Sequence, residues 1–495
     1  MTTAQQHATD IVRTLRERGH QAYFAGGCVR DLLLGREPAD YDVATDATPQ
    51  QVMRIFPQTF AVGAQFGVVL VPLTAQTTED TEKHGGNTSS QDAIESGRVV
   101  SETAGGFSAE RSLSSSASSP LLSPALLSPA LKSTVEVATF RSDVGYSDGR
   151  HPDEVRFTRD PREDVQRRDF TINGMLLDPV TNEVLDFVGG RDDLAAGIVR
   201  AIGDPERRFS EDKLRMLRAV RFAARFGYTI DPATFAAMKF LAPQIHQVSQ
   251  ERVREELTKM LTEGRAQRAF QLLDESGLLA QVLPEISKMK GVEQPPQYHP
   301  EGDVFVHTLL LLDKLPAGCS KTLAWGALLH DVGKPPTFRV APDRIRFDGH
   351  VDIGVKMAAE ICRRLRFSND ETDQILALVD NHMRFGHVFR MKESTLKKFL
   401  RLPSFNEHLE LHRLDSLSSH GLLEAYDYVR EKLHSIPPEA IRPTPLVTGD
   451  DLIEAGYEPG PRFKEILGAV EDAQLEGRLT SRDAAMEYVR REFRA

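Results

Sequence analysis

Hydrophobic and polar positions change period along this chain. Residues 8–19 carry apolar side chains at helical spacing, and Gln21 to Ala25 then reads as a strand running into Gly26-Gly27. A helix is predicted from Val29 to Leu34. Tyr41–Ala44, Gly67–Leu73, Glu136–Phe140 and Glu154–Phe157 are short β-rich runs that predict four further strands. Short strands mixed with helices imply an α/β or α+β head. Beyond about residue 190 the pattern becomes almost wholly helical, clearest in Leu214–Phe226, Arg252–Leu261 and Arg265–Glu275. Pro295-Pro296 interrupts it, residues 303–435 resume it, and Pro437-Pro438, Pro443 and Pro445 mark a linker before a small helical tail.

Between the third and fourth predicted strands the periodicity disappears. Residues from about 75 to 133 are rich in Ser, Thr, Gly and Pro and repeat Leu-Leu-Ser-Pro-Ala at 121–125 and 126–130. This composition cannot bury enough apolar surface to fold, so it predicts a disordered insertion. Four regions are therefore expected: a head over 1–178, a helical neck and body over 179–295, a second helical block over 296–436, and a tail over 437–495.

The chain has 495 residues, with a formal net charge of -11, 27% charged residues and 40% hydrophobic ones. That balance opposes charge-driven nonspecific nucleic-acid binding but permits a local basic groove. One is present: Asp204 to Arg225 holds seven basic residues against four acids. No apolar run is long enough for a bilayer, and Met1 to Arg18 lacks an apolar signal core. No membrane association is expected. Cys28, Cys319 and Cys362 are scattered, which suggests neither a disulfide framework nor a zinc module and fits a cytoplasmic protein.

Candidate chemistry is concentrated in a few motifs. Gly26-Gly27-Cys28-Val29-Arg30-Asp31 places a glycine turn and an arginine just before Asp40-Tyr41-Asp42. In a strand, Asp40 and Asp42 face the same side. Convergent acids hold divalent metal, and two ions roughly 4 Å apart suit in-line attack at phosphorus. Arg30 offers a bidentate phosphate contact. A second motif, Arg167 to Gly174, presents Arg168, Asp169 and Asn173. In a third, Asp212, Arg215, Arg218 and Arg221 recur every three residues, which predicts a polar stripe on one helix.

Taken together, these motifs resemble the class II tRNA nucleotidyltransferases, or CCA-adding enzymes, of the DNA polymerase β superfamily. That family shares its head and neck with bacterial poly(A) polymerases. The resemblance implies an α+β chain, with a DNA polymerase β-type nucleotidyltransferase head followed by an all-α neck and body. It implies Mg²⁺ at Asp40 and Asp42, with Glu136 as a third acid. Gly27, Arg30 and Arg168 would contact the nucleotide, Asp212 and Arg215 would pair with the base of CTP or ATP, and Arg218 and Arg221 would add contacts. Arg141–His151 matches the flexible loop used in switching from C to A, and Glu251–Glu255 matches a neck motif. The implied reaction is template-independent addition of CCA to the 3′ end of tRNA. The chain departs from the family at Gly174, where alanine is usual, and in the insertion.

The later helical block resembles the HD phosphohydrolases through His307, His330-Asp331, His350, His382 and Asp415. Imidazole and carboxylate ligands suit Mn, Fe, Ni or Zn and can activate water. The resemblance implies a phosphatase or cyclic phosphodiesterase activity there. Rival readings are a poly(A) polymerase, a partial enzyme adding only CC or only A, and an HD phosphohydrolase with an RNA-binding head. The Gly-Arg-Arg-Phe-type motif usual in bacterial poly(A) polymerases is missing.

Overall fold

The computed structural model describes residues 2–61, 67–72, 134–145, 153–296, 299–300 and 302–493. The expected insertion at about 75–133 lies outside the described residues, as do residues 146–151 of the Arg141–His151 loop. The chain divides into two compact units, Met1–Phe140 with Leu177–Glu183, and Arg141–Leu176 with Val184–Ala495.

The first unit begins with helix α1 (Thr3–Glu17), capped by the Thr2 hydroxyl, which accepts from the Gln5 amide. Its buried Ala8, Ile11, Val12 and Leu15 recur at helical spacing. Strand β1 (Ala22–Ala25) ends at Gly26, whose φ of +73° suits glycine and turns the chain into helix α2 (Gly27–Leu33). Helix α2 starts two residues earlier than the pattern predicts. Strand β2 (Asp42–Thr45) follows, then helix α3 (Pro49–Ile55) behind a Thr48/Gln51 capping box. Strands β3 (Val68–Pro72) and β4 (Thr134–Thr139) complete an order of β3-β4-β2-β1. The pair β2–β4 is parallel, and its neighbours are antiparallel. Phe24, Val43, Val69, Val137 and Phe140 are fully buried and anchor this sheet.

The second unit opens with strand β5 (Arg141–Val144) paired antiparallel to β6 (Glu154–Phe157). The first four residues of the expected flexible loop are thus strand, because their backbone groups pair with β6. Helix α4 (Pro161–Gln166), strands β7 (Met175–Leu177) and β8 (Val184–Asp186), helix α5 (Gly190–Ala196) and the parallel pair β9 (Ile198–Val199) and β10 (Thr229–Ile230) follow. The remainder is helical apart from one small hairpin. Helices α6 (Pro205–Glu211), α7 (Leu214–Phe226), α8 (Pro232–Leu241), α9 (Gln250–Thr262) and α10 (Ala266–Glu275) lead to the short α11 (Leu278–Val282) and α12 (Pro284–Ser287). Helices α13 (Val304–Asp313), α14 (Lys321–Leu329), α15 (Lys334–Thr337), α16 (His350–Arg364), α17 (Asn369–Asn381), α18 (Glu393–Leu400) and α19 (Phe405–Ser418) form the second helical block. The hairpin of β11 (Arg339–Val340) and β12 (Ile345–Arg346) lies between α15 and α16. The tail packs its own apolar cluster around Leu452, Ile466, Val470 and Val489. Among the described residues no helix is long and apolar enough to cross a membrane.

Candidate active sites

In the first unit, Asp42 opens β2 and sits in register with Glu136 on the parallel strand β4. Flanking Val135 and Val137 are buried while Glu136 is exposed, so its carboxylate stands on the open face. Asp40 is exposed and lies two positions ahead of Asp42, in the turn before the strand rather than within it. Tyr41 between them is buried against Phe24, ring centroids 5.4 Å apart. Burial of Tyr41 pulls the backbone inward and leaves both acids on the outer side. Carboxylate oxygens are the hard donors that suit Mg²⁺, and the register places Asp42 and Glu136 side by side on adjacent strands. Arg30, on α2, is buried and pairs with Asp31 at 2.8 Å. At Gly27 a Cβ would lie 3.5 Å from an Arg30 guanidinium nitrogen, ordinary contact.

The motif residues of the second unit are held in several ion pairs. Asp164 is buried and takes Arg167 on one oxygen at 2.7 Å and Arg168 on the other at 2.8 Å. Asp169 accepts from Arg218 at 2.7 Å and from the Asn173 side chain at 3.2 Å. Burial pushes its carboxyl pKa up, but Arg218 and Asn173 outweigh that and hold it at about 2. Gly174 has a local reason: a Cβ there would meet Ile202 Cδ1 at 2.8 Å and Val188 Cγ2 at 2.9 Å.

The three-residue repeat does not lie on one helix. Helix α6 ends at Glu211, Asp212 adopts an extended backbone, and α7 starts at Leu214. Asp212 therefore stands at a corner, where it accepts from the Leu214 amide at 3.1 Å and from Arg252 at 2.8 and 3.3 Å. Short polar side chains compete with the helix for backbone donors, which is why the helix breaks there. Arg215 is pinned by Glu211 at 2.9 Å and by the Arg167 and Arg208 carbonyls. Arg221 is buried, stacks on Phe222 and pairs with Glu256 at 2.7 Å. It ties α7 to α9 through that pair.

The HD residues converge from five places. His307 comes from α13, His330 and Asp331 from the end of α14, and His350 from the start of α16. His382 follows α17, and Asp415 lies on α19. The Nδ1 atoms of His330, His350 and His382 lie 2.9, 2.9 and 2.6 Å from the carbonyls of Ala327, Phe347 and Val379. A carbonyl only accepts, so each Nδ1 carries the proton and each Nε2 offers a lone pair. Those three Nε2 atoms are buried and make no hydrogen bond. Yet the Nε2 of His330 faces Asp331 Oδ2 at 3.2 Å. The Lys334 ammonium contacts that same oxygen at 2.7 Å, and a divalent ion beside it would also satisfy the His330 lone pair. Burial also lowers the His382 pKa to about 4, which keeps the ring neutral. Donor chemistry and tautomers thus fit a divalent metal.

A cavity of about 430 Å³ opens onto this cluster. Its walls include residues that sequence reasoning did not single out: Lys334, Arg344, Arg346, Phe347 and His412. Lys334 is buried and reaches Asp331 at 2.7 Å and Gln294 at 2.6 Å. His412 precedes Asp415 by one helical turn and stacks on Phe385, centroids 4.3 Å apart. Its helical spacing from Asp415 is the one sequence signal that points to it.

Three family descriptions match the chain. The poly A polymerase head domain covers residues 22–104 and 126–200, a probable RNA and SrmB-binding site of polymerase A covers 227–290, and the HD domain covers 304–403. The CCA-adding enzyme of Geobacillus sp. (strain WCH70) is 30% identical over 476 residues, spanning 95% of this chain and 93% of the relative. That of Levilactobacillus brevis is 27% identical over 97% of this chain and 96% of the relative. Among solved structures, the Bacillus stearothermophilus CCA-adding enzyme in complex with CTP aligns over 99% of both chains, with 25% identity and a TM-score of 0.67. The Thermotoga maritima CCA-adding enzyme complexed with tRNA shares the fold at a TM-score of 0.52 and 17% identity.

Proposed function

The chain belongs to the CCA-adding enzyme family, and we propose on that premise which of its residues perform the family's reaction. It is a nucleotidyltransferase that adds CCA to the 3′ end of tRNA from CTP and ATP. The register of Asp42 against Glu136 is the observation that carries the residue assignment. Asp40, Asp42 and Glu136 would hold Mg²⁺, which when bound would lower the pKa of the attacking 3′-hydroxyl and neutralise the triphosphate. The hydroxyl attacks the α-phosphate and pyrophosphate leaves. Gly27 and Arg30 bracket the phosphates, the glycine by permitting close approach and Arg30 by charge.

Asp212 and Arg215 read the base by hydrogen bonds. Both are already held by protein partners, so the reading edge is organised before nucleotide arrives. A site built from polar groups rejects a mismatched base because the wrong base leaves those groups unpaired. Arg168 contributes charge beside the nucleotide. Arg218 and Arg221 act behind this edge, by fixing Asp169 and α9.

A second reading applies to the later block. His307, His330, Asp331, His350, His382 and Asp415 bind a divalent transition metal (Mn, Ni, Fe or Zn) and support phosphate-ester hydrolysis. The unpartnered buried Nε2 atoms support it. The three free cysteines support a cytoplasmic setting. Replacing Asp40 and Asp42 together by Ala separates the two activities. CTP and ATP incorporation should vanish while phosphoesterase activity persists. Retained incorporation would overturn the head assignment.

A further inference from the structure

Three acceptors orient the Arg215 guanidinium. Its Nη1 donates to the Arg208 carbonyl at 2.9 Å and to Glu211 Oε2 at 2.9 Å, and its Nη2 donates to the Arg167 carbonyl at 3.2 Å. The N–H groups of a guanidinium lie in one rigid plane, so holding three of them sets the direction of the rest. The places of those three acceptors therefore decide how Arg215 meets a base.

One residue engages all three. Arg208 supplies its own carbonyl as the first acceptor. Its Nη1 donates to Glu211 Oε2 at 2.9 Å and to the Arg167 carbonyl at 3.4 Å, the second and third acceptors. The side chain is anchored in turn, with Nη2 donating to the Gln166 carbonyl at 2.7 Å and Nε to the Ile202 carbonyl at 3.1 Å. These bonds gather the end of α4, the segment before α6 and one carboxylate around a side chain that is 13% exposed.

Loss of that anchor has a defined consequence. Glu211 Oε2 is shared between Arg208 and Arg215, so without Arg208 the carboxylate can follow Arg215 or turn toward Arg207, whose Nε lies 3.5 Å from Oε1. The Arg167 carbonyl loses a donor, and Arg168 follows it directly in the chain. A hydrogen-bonding site discriminates while its donors hold their places, because the wrong base then leaves them unpaired. Arg207 offers a natural comparison. It is adjacent and equally charged, but its side chain is 82% exposed and its contact is with the other Glu211 oxygen.

We propose that Arg208 is a positioning residue for nucleotide selection: it holds the three acceptors that aim Arg215, and so sharpens the choice of CTP over UTP without touching the nucleotide. The proposal rests on the base-reading assignment of Arg215. Its effect falls on the ratio between nucleotides, whereas a residue that serves the fold alone would slow both alike.

The test measures kcat/KM for CTP and for UTP with the full chain and a tRNA transcript lacking CCA. Arg208→Ala should lower the CTP/UTP ratio about tenfold or more, the size expected when a hydrogen bond to a charged group is lost. Arg208→Lys should recover part of the ratio, and Arg207→Ala should keep it within about twofold. In an Arg215→Ala background, Arg208→Ala should change the ratio by no more than about twofold, because its route is already gone. An unaltered ratio in folded Arg208→Ala, an equal loss in Arg207→Ala, or an undiminished second loss in the Arg215→Ala background overturns the proposal. Should Arg208→Ala fail to fold, Arg208→Lys decides. A single ammonium cannot reproduce the planar fork, so its ratio should fall several-fold, and a full ratio overturns the proposal. A full ratio in Arg215→Ala would overturn the base-reading assignment and the proposal with it. A lowered ratio there, beside an unaltered one in Arg208→Ala, overturns the positioning role alone.

Discussion

Replacing Arg252 by Ala isolates the corner that presents Asp212. The guanidinium of Arg252 donates to both Asp212 oxygens, at 2.8 and 3.3 Å. The side chains are 22% and 15% exposed, so this pair is only partly screened by solvent. Hydrogen bonds to charged groups contribute about 1.5–3 kcal/mol. If that orientation is felt mainly when the correct base is engaged, its loss lowers discrimination by roughly 10- to 150-fold. The Leu214 amide still holds one oxygen of Asp212, so the lower half of that range is expected. The assay is kcat/KM for CTP and for UTP on a tRNA lacking CCA. Arg252→Ala should lower the CTP/UTP ratio at least tenfold, and Arg252→Lys should recover part of it. A ratio within twofold of the unaltered chain, at unchanged thermal stability, would refute the reasoning. A fall in rate with both nucleotides and an intact ratio would assign Arg252 to folding alone.

Glu256→Ala leaves Arg221 buried without its closest partner, which should cost about 3–5 kcal/mol in urea or thermal unfolding; an unchanged midpoint would remove the pair from the account of α7 and α9. The Asp169 carboxyl is held at about 2 against 3.8 for the ordinary group. A depressed carboxylate stabilises the fold above its unfolded value, and that contribution is lost as pH falls from about 4 toward 2. Unfolding measured across that window should show roughly 2 kcal/mol less acid sensitivity in Asp169→Asn, and parallel profiles would contradict it. At Gly333 a Cβ would meet the His350 carbonyl oxygen at 2.0 Å and the Gly354 amide nitrogen at 2.6 Å. Gly333→Ala should push the start of α16 away and reduce metal uptake at Asp331, His350 and His382, as read by elemental analysis; full uptake would show that α16 yields without moving His350.

The strands of the first unit were legible because valine-rich runs alternate with exposed residues such as Glu136. The pairing of Glu136 with Asp42 was not, since register between strands so distant in sequence depends on the whole sheet. The spacing of Asp212, Arg215, Arg218 and Arg221 imitates one helix. The break at Asp212 comes from side-chain capping of the Leu214 amide, which periodicity does not register. Strands β9 and β10, two residues each, are too short to show any period. Histidine and aspartate stand out in a sequence, so the candidate metal ligands of the later block could be named. Lys334 is one lysine among many until burial places it against Asp331.

Nucleotide incorporation into tRNA transcripts ending before CCA, after C and after CC tests the central claim most directly. With Mg²⁺ and both nucleotides, the three substrates should gain three, two and one residues and then stop at a common CCA end. A lengthening adenosine tail on tRNA and unrelated RNA alike, or no incorporation by folded protein, would contradict it.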